Sequence, residues 1–403
     1  MVQGSAIDTI ATFGEDLFSP DALRNPFGHY RALRDLGPVA YLPDLDVYAI
    51  SRFDDVRAAL RSPDILISGR GVGFNDILNA PVPEPRTIHS DGDRHRRLRN
   101  ILAKPLMPAA LREQRELLRA LITQRIAEVV DAGEIDAIST LAQHLPMEAV
   151  SHLVGLPEEG RVEMLRWATA SFNAAAPLAH GGAPDEDVRA SLKVLQEAAS
   201  YFTTVDPAAL RPGSWARMLF DAVTAGRLSQ GEARAAISGL VLPSLDTTIF
   251  AKGNLLFNLG AHPDQWQLLK ARRDLVPSAV LESVRHSAIV RWFSRYALED
   301  YRIGSHIIPA GARVMILYGS ANRDERHYPD PDRFDVTRNP VDQLGWGTGP
   351  HMCAGMHLAR IEMEVMLEAL LEKVGHIEVG TPELSSSRGL YGFENLPMRF
   401  LSA

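Results

Sequence analysis

The sequence predicts a mainly α fold with a small β portion, on three observations. From residue 94 to about residue 285 apolar residues recur at helical spacing, broken by Pro/Gly-rich stretches such as 173–187. Strand-like alternation is confined to two short regions, VAYL with DVYAIS near the start and YRIGSHIIPAGARVMIL from Tyr301. Two long runs between helix start and stop signals are apolar on most sides, the pattern of helices that pass through a core. With 403 residues, 46% of them hydrophobic and 23% charged, the chain can bury a large core. No Gly/Ser-rich or charge-block linker divides it, so a single domain over 1–403 is expected.

In chain order, PFGHYRALRDL from Pro26 reads as a short helix stopped by Gly37-Pro38, and the alternating segments after it as a hairpin. Ser229-Gln230-Gly231-Glu232 fits a capping box, and the apolar run behind it reaches Leu259, with Gly260 and Pro263 as stop signals. Read as one helix this is roughly 30 residues, about 45 Å long. Further on, the Pro309-Ala310-Gly311 turn separates two alternating runs. A second buried helix is expected over about residues 354–374, with Glu364, Glu368 and Glu372 on one stripe and Gly375 as its stop.

The formal charge of −8 argues against a nucleic-acid groove, which needs a basic surface or stripe. The local exception is Arg94, Arg96, Arg97, Arg99 and Lys104. No apolar run reaches the length of a membrane span, and the N-terminus lacks the basic start and apolar middle of a signal peptide, so a cytoplasmic protein is expected. One cysteine, Cys353, excludes an internal disulfide and a multi-cysteine metal site.

That cysteine closes the segment Gly345-Trp346-Gly347-Thr348-Gly349-Pro350-His351-Met352-Cys353-Ala354-Gly355, directly before the second buried helix. Unpaired N–H groups of a first helical turn and the helix dipole favour a thiolate, which predicts a lowered thiol pKa and a metal ligand. Glycines let the backbone wrap closely round a flat cofactor and aim further N–H groups at the sulfur. The plain alternative, a buried cysteine in a Gly-rich turn, is the usual fate of a lone cytosolic cysteine.

The loop resembles the haem-binding loop of the cytochrome P450 family, Phe-Gly-x-Gly-x-His-x-Cys-x-Gly, with Trp346 in place of the usual Phe. Other landmarks follow in family order. Glu282 and Arg285 resemble its Glu-x-x-Arg pair, Arg295 its arginine ten residues later, His95 and Arg99 its haem-propionate motif, and Asp246-Thr247 its acid-alcohol pair. The resemblance runs from Pro26-Phe27 to Leu396-Pro397. It implies a haem b held between the long central helix and the helix after the cysteine loop. Cys353 would be the axial iron ligand in a loop that includes Gly347, and His95, Arg99, Arg295 and His351 would be propionate partners.

Spacing alone makes Glu282 and Arg285 a surface pair worth a few tenths of a kcal/mol; the resemblance makes them a support under the cysteine loop. Asp246 and Thr247 stand either as a helix restart after Pro243 or as a proton relay, and the two readings are compatible. Pro243 and Ser244 depart from the family's small residue and Gly at that point. Arg96 and Arg97 match no motif and are either a solvated face or a docking patch for an acidic electron-transfer protein.

The resemblance implies a monooxygenase that uses O2, with electrons from NAD(P)H through a ferredoxin reductase and a ferredoxin. A haem-binding sensor needs no relay, and a peroxide-driven enzyme would more naturally lack one. Within the family, SGRGVGF, GSANRDERHYPDPDRFDVTR and HMCAGMHLARIEMEV are most similar to a bacterial branch that oxidises para-substituted benzoates and methoxyarenes. That implies a small aromatic substrate, with Arg70 pairing a carboxylate and Phe172, Val290 and Phe293 clamping a ring. Phe74, Tyr391 and Phe393 could rebuild an aromatic wall, since the branch's polar positions fall on Ser238, Gly239 and Leu242 and a second aromatic wall on Ala175. A terpene, fatty acid or secondary metabolite is the alternative substrate.

Overall fold

The computed structural model describes residues 8–177 and 185–402, so the expectation for the extreme N-terminus and part of the Pro/Gly-rich stretch lie outside the described residues. The predicted first helix is Pro26–Leu36, closed at Gly37, and the hairpin behind it pairs Val39–Leu42 with Val47–Ile50 in antiparallel register. That hairpin belongs to a sheet of order Ala11–Thr12, Val39–Leu42, Val47–Ile50, Arg313–Leu317, Trp292–Ala297, Leu66–Ile67. Both sheet faces are covered. Val314 and Ile316 enter one apolar cluster with Phe53 and Tyr318, and Met315 and Leu317 enter another with Trp292 and Leu33, as period-two alternation requires. The Pro309-Ala310-Gly311 turn does not join two strands of one hairpin. The tight hairpin lies before it, Tyr301–Ile303 against His306–Ile308, and the strand after it runs in the main sheet.

The largest apolar cluster is helical. The capping box forms as read, with Ser229 and Glu232 exchanging side-chain to backbone hydrogen bonds. The single long helix does not. Gln230–Val241 and Asp246–Ala261 are separate helices, broken over 242–245. Pro243 lacks the N–H that would continue the ladder, so apolar patterning across the break could not reveal it.

The proximal helix, Met356–Lys373, passes into the strand Val374–Val379. Its acidic stripe is held by the helix Pro108–Val129: Arg115 reaches Glu364 and Glu368 at 2.9 and 2.5 Å, and Arg119 reaches Glu372 at 2.7 Å. Lys252 of the central helix Asp246–Ala261 meets Glu362 of the proximal helix at 2.5 Å, both buried. Among the described residues, no helix is long and apolar enough to cross a membrane.

Candidate active site

The cysteine loop turns on two glycines with φ of +68° at Gly347 and +71° at Gly349, a region that L side chains adopt only under strain. A Cβ at Gly349 would also stand 2.5 Å from the Leu60 carbonyl oxygen. The loop is closed by the Cys353 N–H, which donates to the Trp346 carbonyl at 2.8 Å. It rests on the helix Val276–Ser287, since a Cβ at Gly345 would meet Val284 at 2.7 Å.

Under the loop, Glu282 and Arg285 are fully buried rather than a surface pair, which corrects the spacing argument. Arg285 donates Nε and a second nitrogen to Glu282 at 2.7 and 2.8 Å, and its remaining nitrogen to the carbonyls of Asn322 and Pro331. Glu282 also accepts from Arg338 Nε at 3.2 Å and from the Asp335 N–H at 3.0 Å. Every charge is satisfied, as a buried pair requires.

The backbone N–H groups of Gly355 and Met356 point at the Cys353 sulfur, as the position before a helix predicts. The expected fall in pKa does not follow. Burial pushes the thiol up by more than these donors and Arg99 lower it. Cys353 nevertheless keeps accessible surface, and a metal bound there would take the place of the thiol proton.

The expected haem-propionate partners are His95, Arg99, Arg295 and His351. The His95 and His351 rings lie 4.2 Å apart, and His95 Nε2 is buried without a hydrogen-bond partner. Burial, with His351 and Arg99 adding to it, lowers His95 to about 4, and burial lowers His351 as well. Both are therefore neutral hydrogen-bonding groups near pH 7, and positive charge comes from Arg99 and Arg295. Arg99 donates to the Met352 carbonyl, and Arg295 to the Ser294 carbonyl at 2.7 Å and to the buried Tyr318 hydroxyl. This set suits a planar dicarboxylate with an iron above the cysteine: a soft sulfur ligand, an orphaned imidazole nitrogen and two guanidiniums with donors to spare.

Asp91 went unnoticed in the sequence. It precedes the helix Gly92–Ala103 and reads as its cap, but its carboxylate accepts from the N–H groups of Ser68 and Gly69, at 3.0 and 2.6 Å, and faces His351 at 3.7 Å.

The central helix restarts at Asp246 after the break at Pro243. The Thr247 hydroxyl donates to the Pro243 carbonyl at 2.7 Å and the Thr248 hydroxyl to the Ser244 carbonyl at 3.0 Å, so side chains satisfy oxygens at the interruption. Pro243 is exposed and Thr247 half-buried, beside the buried Leu242, Asp246 and Thr248. Asp246 is buried against Thr169, and burial raises its carboxyl to about 6 despite that hydrogen bond.

The expected substrate residues divide. Phe293 and Arg295 share a face of the strand Trp292–Ala297, and Phe293 meets Tyr318 edge-on at 6.1 Å. Val290 pairs with Leu390 beside them, and Phe172 packs on Gly389 in the same C-terminal segment, one helical turn from Thr169. Arg70, Phe74 and Phe393 are not brought to this face. Arg70 is exposed, with its guanidinium 4.4 Å over the ring of Tyr296, which projects from the opposite face of the strand. Phe74 packs on Trp292, also on that opposite face, with ring centroids 4.5 Å apart and the rings tilted by 51°. Phe393 packs on Phe257, nearly three turns beyond Thr247. Tyr391, also expected as a wall, meets Phe27 at 5.5 Å.

The basic cluster is largely paired: Arg94 with Glu84 at 2.5 Å, Arg96 with Asp93, and Arg97 with Glu232.

The donor set fits a haem-thiolate oxidoreductase, and comparison with known proteins gives the family. The family model "Cytochrome P450" matches residues 267–378. "Cytochrome p450 CYP199A2" of Rhodopseudomonas palustris is 33% identical over 97% of this chain and 94% of its own. "Beta-dihydromenaquinone-9 omega-hydroxylase" of Mycobacterium tuberculosis is also 33% identical, over 91% of this chain and 74% of its own. The solved structure of cytochrome P450 CYP109Q5 from Chondromyces apiculatus superposes with a TM-score of 0.79 at 25% identity, covering 97% of this chain and 99% of that one. The chain belongs to the cytochrome P450 family, and it is a monooxygenase by that membership. The family implies haem iron and the use of O2.

Proposed function

We propose that the protein inserts one O2-derived oxygen atom into a C–H bond of a small aromatic substrate, by hydroxylation or O-demethylation. The carrying observation is that Phe293 stands two residues from Arg295 on one strand face, so an aromatic ring flanks the guanidinium suited to a haem carboxylate. Haem bound through a thiolate supplies the oxygen activation, because the sulfur pushes electron density that favours O–O cleavage. Cys353 holds the iron; His95, Arg99, Arg295 and His351 fix the haem carboxylates; Val290, Phe293 and Phe172 orient the ring; and Asp246 and Thr247 conduct protons at the helix break. Electrons come from NAD(P)H through a ferredoxin reductase and a ferredoxin, in keeping with a sequence whose one cysteine cannot hold an iron–sulfur cluster.

A non-aromatic substrate is the second reading, favoured by the equal identity to a relative named for a menaquinone. Spectral titration of the holoprotein with substituted methoxyarenes and benzoates, against terpenes and fatty acids, tests both. The aromatic reading expects the larger spin-state change from the aromatic set. Tight binding of non-aromatic ligands alone contradicts it.

A further inference from the structure

Arg86 is a charged group that nothing so far uses. It lies in the loop before the helix Gly92–Ala103, and its neighbour Glu84 is tied outward to Arg94 at 2.5 Å and to the Ser229 hydroxyl at 3.4 Å. Arg86 is turned the other way. Its Cβ and Cγ are the atoms nearest to a Cβ placed on Gly239, at 3.9 Å, so its stem lies along the helix that ends at the Pro243 break. No carboxylate or carbonyl of the described residues pairs with its guanidinium, whereas the buried arginines Arg34, Arg285, Arg291 and Arg323 each hold backbone carbonyls or carboxylates. Burial alone lowers Arg86, to about 10, so it stays charged at neutral pH. Its neighbour His89 is neutral there, held down to about 3 by burial first and then by the charge of Arg86.

A guanidinium partly withdrawn from water and without a protein partner is stabilised by an anion that meets it. Arg86 is half-buried, and its stem beside Gly239 places it one helical turn before Pro243, at the break that carries Thr247. We propose that Arg86 is a specificity-determining residue that pairs with the carboxylate of an anionic substrate. This deepens the reading above, on which it rests, by giving the substrate class a carboxylate. It replaces Arg70, whose side chain faces away.

The shared chemistry is a carboxylate, and a haem propionate is its other source. The test titrates wild-type holoprotein, Arg86→Gln and Arg86→Lys with 4-methoxybenzoate, its neutral counterpart 4-methylanisole, and decanoate, with haem dissociation followed in parallel. The expected result is a carboxylate preference in the wild type. Arg86→Gln weakens carboxylate binding about ten- to hundredfold, the range for one charge-assisted hydrogen bond, and spares the neutral ligand; Arg86→Lys recovers part of the loss. Haem dissociation is unchanged. A wild type with no preference for either carboxylate over the neutral ligand overturns the proposal. So does a glutamine variant that loses haem faster while anionic and neutral ligands weaken alike, which would assign Arg86 to a propionate. If decanoate alone shows the Arg86-dependent preference, the carboxylate assignment stands and the aromatic reading falls.

Discussion

Thr247 and Asp246 show how position within a broken helix gives two adjacent side chains different work. The Thr247 hydroxyl bonds the Pro243 carbonyl and keeps accessible surface, while Asp246 is buried against Thr169. Thr247→Ala removes a proton donor and no haem ligand. It should leave haem content and substrate-induced spectral change intact, lower product formation about tenfold or more, and divert the electrons to peroxide. Peroxide released per NADH consumed measures this, and unchanged coupling would remove Thr247 from the relay. Asp246 gives a pH prediction. Its carboxyl is raised from 3.8 to about 6 by burial, so between those values the native state keeps a proton that the unfolded chain has lost. The stability it contributes is present below about pH 4 and is lost as pH rises through 6, a change of about 3 kcal/mol. Asp246→Asn lacks that titration. Its unfolding free energy should therefore gain on the wild type from pH 4 to 6 and run parallel above, and parallel curves throughout would place the carboxyl in an ordinary environment. Cys353, His95 and His351 were legible as chemistry in the sequence. The direction of the Cys353 shift was not, because local helix geometry carries no information on how deeply the fold buries it.

Helices near the site were read well at their ends and poorly at their interruptions. The capping box at Ser229 and the stop at Gly37 are local signals, and both formed. The break over 242–245 was hidden because apolar residues continue through it on both sides. Equally, three-residue spacing could not say whether Glu282 and Arg285 face water or core; only the packing of the segment 322–338 around them decides. Full burial sets the size of the next prediction. Glu282→Ala leaves the Arg285 guanidinium buried without its carboxylate and should cost about 3–5 kcal/mol, with loss of haem because the cysteine loop rests on the same helix. Denaturant unfolding with haem content as a second readout checks it; a loss under about 1 kcal/mol would return the pair to a surface role.

Taken whole, the molecule is a helical body and a sheet whose faces are both covered. The mainly α fold was legible from how little strand pattern the chain contains. Residues of the site that lie far apart in sequence were legible only where the family resemblance supplied them. Arg70, Phe74 and Phe393 show the limit, since strand alternation and packing turn them elsewhere. Arg86 and Asp91 stand in no motif, and only their placement and hydrogen bonds in the fold single them out. Everything proposed for the site depends on Cys353 ligating the iron. The carbon monoxide difference spectrum of the reduced holoprotein tests that directly. The wild type should give the red-shifted Soret band of thiolate ligation, and Cys353→Ala should lose it. A wild-type band at the position of histidine-ligated haem, or a preparation that takes up no haem, would contradict the assignment.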